Sequence, residues 1–274
     1  MADALKLLAV FPHPDDETLG LGSTLARYSA EGVETYLVCA TRGQRGWFDA
    51  EGPDPGFEAV ARIREAELRC AADHLGIREV SFLDYIDGDV DQAKPEEIIG
   101  KIVSHIRRIK PQVVVSFGPD GAYGHPDHIA LSQFTNAALV CAADRNFVDA
   151  NVQAPHRVLK FYYMVDSLEG VKVANEAFGG ISMDVDGETR RHVGWQDWAI
   201  TTRLDNRNYL DKVREAIHCH KSQLPGYGPL AEWSAVELAP FFGPGNFYRV
   251  FSLVNGGRKT ESDLFEGLRS LEER

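Results

Sequence analysis

One short stretch, His13-Pro14-Asp15-Asp16-Glu17, constrains the fold more than any other part of the chain. It places a histidine and three carboxylates directly after an apolar run, Leu5–Phe11, which has the length and composition of a buried strand. So many charged groups beside a hydrophobic core are costly unless something binds them. A second stretch of the same kind, His125-Pro126-Asp127-His128, follows another apolar run, Gln112–Phe117. A fold that brings the two stretches together would create a site for a cation.

The rest of the chain alternates between segments of strand and helix character. The strand segments are runs of Val, Ile and Leu, which is typical of a parallel sheet covered on both faces. We therefore predict an α/β fold, a Rossmann-like three-layer αβα arrangement with a mostly parallel sheet of order 3-2-1-4-5. The predicted strands of this core are Leu5–Phe11, Val33–Thr41, Glu79–Leu83, Gln112–Phe117 and Arg157–Val165, and its predicted helices are Thr18–Glu31, Glu58–Leu75, Pro95–Ile109 and Asp127–Asp144.

The alternation weakens after about Ser167. We predict one domain over residues 1–274, with the Rossmann-like core over about 1–166 and C-terminal β/α additions over about 167–274. The loop Arg42–Phe57 follows the second strand and is long enough to be a functional loop or a lid. The elements predicted in the additions are a hairpin of Ile181–Asp186 and Glu188–Val193, a helix over Asn206–Lys221, a strand over Phe247–Val254 and a surface helix over Glu261–Glu273.

The predicted topology places the two charged stretches side by side. In open parallel sheets, ligands bind beyond the carboxyl ends of the strands where the winding direction reverses, and the first and fourth strands are neighbours there. A catalytic zinc takes three protein ligands, such as imidazole nitrogen and carboxylate oxygen, and keeps one position open. Two histidines and one aspartate would suffice, which leaves a neighbouring histidine free for proton transfer. The sequence therefore predicts a site for one divalent metal, zinc above all, although iron or cobalt would suit the same donors.

Simpler explanations exist for each stretch taken alone. Asp15 or Asp16 could cap a helix, and Glu17 could favour a helix start. Gly20 and Gly22 do not complete a G-x-G-x-x-G fingerprint, so the sequence gives little support to nucleotide binding.

Charge and composition exclude other classes of protein. The formal net charge is −12 and no basic run occurs, which argues against a nucleic-acid partner. No apolar stretch approaches the roughly 20 residues that a membrane helix needs. The cysteines are scattered without a C-x-x-C pair, so we expect free thiols and a cytoplasmic protein: Cys39, Cys70, Cys141 and Cys219.

The pair of motifs resembles the LmbE/PIG-L-like family of zinc-dependent N-deacetylases, which remove an acetyl group from N-acetylglucosamine-type sugars and related amides. The resemblance covers roughly Leu5 to Leu139 and thins afterwards. Further matching segments are Thr41-Arg42-Gly43 with Gly46, Arg64-Glu65-Ala66-Glu67, Asp87-Gly88 and His220-Lys221-Ser222-Gln223.

The resemblance implies a role for each matching residue of the first motif. His13 and Asp16, with His128 from the second motif, would be the zinc ligands. Asp15 would be the general base that activates the attacking water. His220 lies in a matching segment and could belong to the site or only support its packing.

The resemblance also implies roles in stabilising the reaction and in binding the substrate. His125 would steady the oxyanion or protonate the leaving amine, with Asp127 orienting it, and acidic neighbours would favour the charged form of its ring. Tyr123 would help to polarise the carbonyl. The residues that match substrate contacts are Arg64, Asp87 and Gln44, where the family often has glutamate at the position of Gln44.

The function implied is hydrolysis of a linear amide in a small amino-sugar substrate. Two alternatives remain open at this point, an amidase for a sugar–thiol conjugate and a non-catalytic homologue that binds metal or sugar. The resemblance also allows a homo-oligomer, since family members often assemble.

Overall fold

A computed structural model describes residues 4–48 and 52–269. Among these residues the strands are β1 Lys6–Phe11, β2 Glu34–Thr41, β3 Glu79–Tyr85, β4 Val113–Phe117, β5 Lys160–Met164, β6 Ser182–Val185, β7 Glu188–Arg191, β8 Thr202–Asp205 and β9 Pro244–Ser252. The helices are α1 Asp16–Leu19, α2 Gly22–Ala30, α3 Phe57–Leu75, α4 Pro95–Ile109, α5 Gly121–Gly124, α6 Pro126–Ala143, α7 Leu168–Phe178, α8 Leu210–Cys219 and α9 Ala235–Phe242.

The main sheet runs in the order β3-β2-β1-β4-β5-β9-β8, and β6 pairs with β7 in a separate hairpin. The first five strands are parallel, whereas β9 runs antiparallel to both β5 and β8. The predicted core order 3-2-1-4-5 is therefore confirmed. Because β1 and β4 pair directly, with Leu7 opposite Val113, their carboxyl ends open onto the same edge of the sheet.

Helices cover both faces of the sheet and create two hydrophobic layers. Successive side chains of a strand point to opposite faces, so Leu7 and Leu8 of β1 belong to different layers. The first layer contains residues of α2, α3 and α8, and the second contains residues of α4 and α6. This arrangement confirms the predicted three-layer αβα architecture. None of the helices in the described part of the chain is long and apolar enough to cross a membrane.

Several local predictions were inexact or wrong. The helix predicted over Thr18–Glu31 is two helices, α1 and α2, separated at Gly20–Leu21. The helix α7 and the helix α9, which begins with a capping box at Ser234, were missed. The surface helix predicted over Glu261–Glu273 is wrong, since residues 262–269 form turns and residues 270–273 lie outside the described residues.

The cysteine prediction also needs correction. Cys70 on α3 and Cys219 at the end of α8 form a disulfide across 149 residues of sequence. Only Cys39 and Cys141 are free thiols. The bond joins the two helices that pack together on the first face of the sheet, and four scattered positions in a sequence carried no sign of that proximity.

Candidate active site

The two charged stretches meet at the carboxyl edge of β1 and β4. After β1 the chain turns, and the main-chain N–H of His13 donates to Asp16 Oδ2 at 2.8 Å, which fixes the start of α1. After β4 the chain forms α5 and then enters α6 at Pro126, a residue suited to a first helical position. The backbone at Asp15 has φ +107°, an unusual value for a residue with a side chain. The topology thus brings residues more than a hundred positions apart into contact.

Three buried donor groups converge at this edge. His13 Nδ1 lies 3.3 Å from His128 Nε2 and 3.6 Å from Asp16 Oδ2, and His128 Nε2 lies 3.6 Å from Asp16 Oδ1. Donor atoms around a tetrahedral zinc with bonds of about 2.0–2.1 Å would be about 3.3 Å apart. These three residues form a group that could hold a metal ion, so the donors and their spacing fit the predicted zinc site.

The ring of His13 is held in the orientation that a metal ligand requires. Its Nε2 lies 3.0 Å from Asp127 Oδ2 and 3.2 Å from Asp87 Oδ1. Hydrogen bonds from Nε2–H to these carboxylates orient the ring so that Nδ1 faces Asp16 and His128. Burial opposes protonation of the ring, but the carboxylates of Asp127, Asp16 and Asp87 raise the pKa of His13 well above its usual range, so a metal ion bound at Nδ1 would displace a proton. Burial lowers the pKa of His128 well below its usual range, and the charge of His13 adds to this effect, so His128 is neutral as a ligand must be.

Asp15 is the carboxylate beside this group. Its Oδ2 accepts a hydrogen bond from Arg64 Nη2 at 3.1 Å and from the Tyr227 hydroxyl at 3.0 Å. Burial raises the pKa of Asp15 to about 6, although the Arg64 charge opposes the rise. A carboxylate with a pKa in this range can both take and return a proton near neutral pH.

Arg64 was predicted to contact the substrate, which stays a prediction, and the structure places its guanidinium against Asp15. Its side chain is 4% exposed, and besides Asp15 it donates to the carbonyl of Gly43 at 3.0 Å and to that of Pro14. A Cβ atom at Gly43 or Gly46 would lie within 2.3 Å of the Arg64 guanidinium. The two glycines are therefore required by the close approach of Arg64, which contacts the predicted base Asp15.

The predicted relation between Asp127 and His125 is also different. The Asp127 carboxylate accepts hydrogen bonds from the N–H groups of Gly88 and Val90, at 2.7 and 3.0 Å, besides facing His13. It is the main-chain N–H of Asp127 that orients His125, by donating to Nδ1 at 3.1 Å. Burial, followed by the charge of His13, lowers the pKa of His125 to about 4. The expectation of a charged His125 ring is therefore wrong.

Tyr123 lies with its ring against both neighbouring histidines. Its centroid is 5.9 Å from that of His125 and 5.4 Å from that of His128. Burial, with several nearby carboxylates, raises the pKa of Tyr123. Its hydroxyl therefore stays protonated and can donate a hydrogen bond.

Gln44 and Asp87 are joined by a hydrogen bond beside His13. Gln44 Nε2 donates to the Tyr85 carbonyl at 3.2 Å, and Gln44 Oε1 accepts from the Asp87 N–H at 3.1 Å. A glutamate at this position could accept from the Asp87 N–H but could not donate to the Tyr85 carbonyl. The glutamine therefore makes both hydrogen bonds to the loop over residues 85–87. Asp87 in turn accepts from the Arg45 N–H at 3.2 Å and faces His13.

Residues from the C-terminal part of the chain form buried hydrogen bonds next to the site. His220 and Glu17 are both fully buried and pair at 3.0 Å, and Glu17 also accepts the N–H of Asp15 at 2.9 Å. Ser222 donates its N–H and its hydroxyl to Glu67, both at 2.7 Å. His220 thus bonds the residue after the predicted ligand Asp16, and within the described residues no hydrogen bond joins its ring to a predicted ligand. Glu67 lies in the matching segment Arg64–Glu67, but the sequence predicted no role for it, and Tyr227 lies outside every matching segment.

Comparison with known proteins decides the family. The family model described as "PIG-L: GlcNAc-PI de-N-acetylase" matches residues 8–139. A 1D-myo-inositol 2-acetamido-2-deoxy-alpha-D-glucopyranoside deacetylase from Streptomyces avermitilis is 32% identical over 297 residues, which cover 96% of this chain and 97% of the relative. The chain belongs to the PIG-L deacetylase family. The prediction of an enzyme that hydrolyses an amide is confirmed with it.

Solved structures share the fold with this PIG-L family chain. The N,N'-diacetylchitobiose deacetylase of Pyrococcus horikoshii superposes with a TM-score of 0.66 at 21% identity, covering 90% of this chain and 84% of that one. The 4-carboxy-2-hydroxymuconate hydratase GalB of Pseudomonas putida KT2440 superposes with a TM-score of 0.64 at 19% identity, covering 92% and 99%. Because one fold carries both chemistries, the reaction must be argued from residues.

Proposed function

We propose that this chain is a zinc-dependent N-deacetylase that removes the acetyl group from an N-acetylglucosamine-type amino sugar or a related conjugate. The observation that carries the proposal is the convergence of His13, Asp16 and His128 beside the carboxylate of Asp15. These residues would hold one zinc ion per chain. A zinc ion there would polarise the amide carbonyl and lower the pKa of a water molecule towards about 7.

Asp15 acts as the general base in this proposal. Within the described residues, Oδ2 is occupied by Arg64 and Tyr227 and no protein group donates to Oδ1. Oδ1 therefore takes the proton of the attacking water and afterwards passes it to the departing nitrogen. The C–N bond breaks, and the products are acetate and the free amine.

His125 and Tyr123 stabilise the negative oxygen that forms on the carbonyl. His125 Nδ1 accepts a hydrogen bond, so the neutral ring carries its proton on Nε2 and donates from there. Tyr123 stays protonated and donates from its hydroxyl. Donors aimed at a developing oxyanion commonly contribute about 100-fold to 1,000-fold to the rate. This assigns His125 to the oxyanion rather than to protonation of the amine.

The substrate class follows from the relatives. The Streptomyces avermitilis relative is named for an acetamido-glucose joined to inositol, and we infer that this chain takes a glycoside of the same type. An amide in a sugar–thiol conjugate would present the same carbonyl to the same groups, so it belongs in the substrate screen.

The test measures release of free amine from N-acetylglucosamine, its inositol glycoside, N,N'-diacetylchitobiose and thiol-linked conjugates, with zinc content on the same sample. In D15N we expect kcat to fall by about 100-fold to 10,000-fold, since the base is lost, while zinc stays bound. The matched control D211N changes an exposed aspartate on α8 and should behave as wild type.

Two results would contradict the proposal. Full activity of D15N would exclude Asp15 as the base. A zinc-loaded wild type that hydrolyses none of these amides would exclude the proposed reaction itself.

A further inference from the structure

Tyr227 reaches the catalytic carboxylate from a segment that no motif marks. It lies in the 3₁₀ segment Leu224–Ala231, more than 200 residues after Asp15, and its hydroxyl donates to Asp15 Oδ2 at 3.0 Å. Residues 224–245 are rich in Pro, Gly and aromatic residues and show no clear period. The contact therefore comes entirely from tertiary structure.

Ser222 and Gln223, which precede Tyr227, form hydrogen bonds with two other parts of the chain. Ser222 donates twice to the buried Glu67 of α3, and Gln223 Nε2 donates to the carbonyl of Gly46 at 2.9 Å. A Cβ atom at Gly226 would lie 3.2 Å from the ring of Phe48. The approach of the chain to Tyr227 is thus fixed by hydrogen bonds and by close packing, so its hydroxyl has a defined position.

The hydroxyl of Tyr227 and the guanidinium of Arg64 share one oxygen of Asp15. Both donate to Oδ2, at 3.0 and 3.1 Å. Two donors from different elements on the same oxygen fix the plane of the carboxylate. Oδ1 is left as the oxygen that can exchange a proton with water. Burial raises the pKa of Tyr227 well above its usual range, so its hydroxyl stays a donor.

We infer that Tyr227 is a positioning residue for the general base, and that it acts through its hydroxyl by holding Asp15 with Oδ1 presented to the attacking water. The inference rests on the proposed function, since it needs Asp15 as the base. Tyr227 works through Asp15, and within the described residues no hydrogen bond joins it to His13, Asp16 or His128. Removing its hydroxyl should therefore affect the chemical step and leave metal binding unchanged.

The ring of Tyr227 has a separate role that the test must preserve. It lines a cavity of about 610 Å³ whose other walls include Leu19, Val171 and Leu230. Replacing Tyr227 by alanine would remove the ring from this wall as well as the hydroxyl. Its effect would therefore combine a packing defect with the loss of a hydrogen bond. Y227F removes only the oxygen. The matched control Y163F removes a hydroxyl that bonds Asn136, away from the site.

The experiment measures kcat and KM for deacetylation, zinc content and thermal unfolding in wild type, Y227F and Y163F. In Y227F we expect kcat to fall by about 10-fold to 100-fold, the range expected for losing one hydrogen bond to a charged group. KM and zinc content should match wild type, and the unfolding temperature should fall no further than in Y163F, which also loses a hydroxyl hydrogen bond. Y163F should keep the wild-type kcat.

The other outcomes overturn the inference in distinguishable ways. If Y227F is as active as wild type, the hydroxyl does not position Asp15 and the proposed function stands. If the activity of Y227F falls together with zinc content, or if its unfolding temperature falls well below that of Y163F, the role of Tyr227 is only structural. If zinc-loaded wild type hydrolyses none of the amides in the screen, the proposed function fails and the inference fails with it.

Discussion

Replacing Glu261 by glutamine should destabilise the protein although the residue is far from the active site. Glu261 is 2% exposed and pairs in parallel with Thr202 of the edge strand β8. The carboxylate accepts hydrogen bonds or ion pairs at 2.6 to 2.8 Å from Lys160, Tyr162, Thr202, Arg249 and Asn255. Lys160 is fully buried, so its ammonium group has no alternative contact with water.

The free energy of unfolding that E261Q should lose can be worked out in two ways, and the two values agree. Burial opposes ionisation, but the donors around Glu261 hold its pKa at about 2, against an ordinary 4.5. A difference of that size corresponds to about 3 kcal/mol of unfolding free energy. Breaking a buried ion pair by removing one partner typically costs about 3–5 kcal/mol. The pair is not symmetrical, since burial lowers the pKa of Lys160 despite Glu261. We therefore expect E261Q to lose about 3 kcal/mol.

The sign of the pH dependence follows from the depressed pKa. The contribution of Glu261 is complete above about pH 4.5 and is lost as the pH falls towards 2. Urea unfolding of wild type and E261Q at pH 7 and at pH 3 measures both effects, and the difference between them should shrink at pH 3. The exposed Glu215 provides the control E215Q. A loss below about 1 kcal/mol at pH 7, within the range of a surface pair, would refute the reasoning.

Three further predictions concern the disulfide, Gln44 and the metal. The double variant C70A/C219A should lose about 2–5 kcal/mol of unfolding free energy in urea, since the bond closes a long loop, whereas C141A removes a free thiol and should not. Q44E keeps the acceptor but loses the donor to the Tyr85 carbonyl, so we expect KM to rise by about 10-fold from the loosened loop; an unchanged KM would mean that this loop does not touch the substrate. Chelation of the metal should abolish amide hydrolysis reversibly, with zinc restoring it, and activity that survives complete removal would contradict the metal requirement.

Topology made the centre of the site predictable. His13 and Asp16 follow β1, His128 follows β4, and the rule that places ligands at the reversal point of a parallel sheet brings them together. The donors also had to be residue types that bind zinc, which the sequence displays directly. The parallel core was predictable because its strands are continuous apolar runs.

Tertiary contacts explain what the sequence did not show. Tyr227 has no local pattern, and only the folded chain places its hydroxyl on Asp15. The helix predicted over Glu261–Glu273 was wrong because Leu264 and Phe265 are fully buried in the core and Leu264 donates its N–H to the hydroxyl of Tyr28. Such contacts override helix propensity, which contributes only tenths of a kcal/mol per residue.

The positive φ of Asp15 sets stability and activity against each other at a single residue. A backbone of this kind costs roughly 1–3 kcal/mol for a residue with a side chain, and glycine would adopt it freely. Replacing Asp15 by glycine would relieve that strain and remove the buried carboxylate, which is the proposed catalytic base. Selection for thermal stability alone would therefore drive this position away from aspartate, and its retention would report selection for turnover.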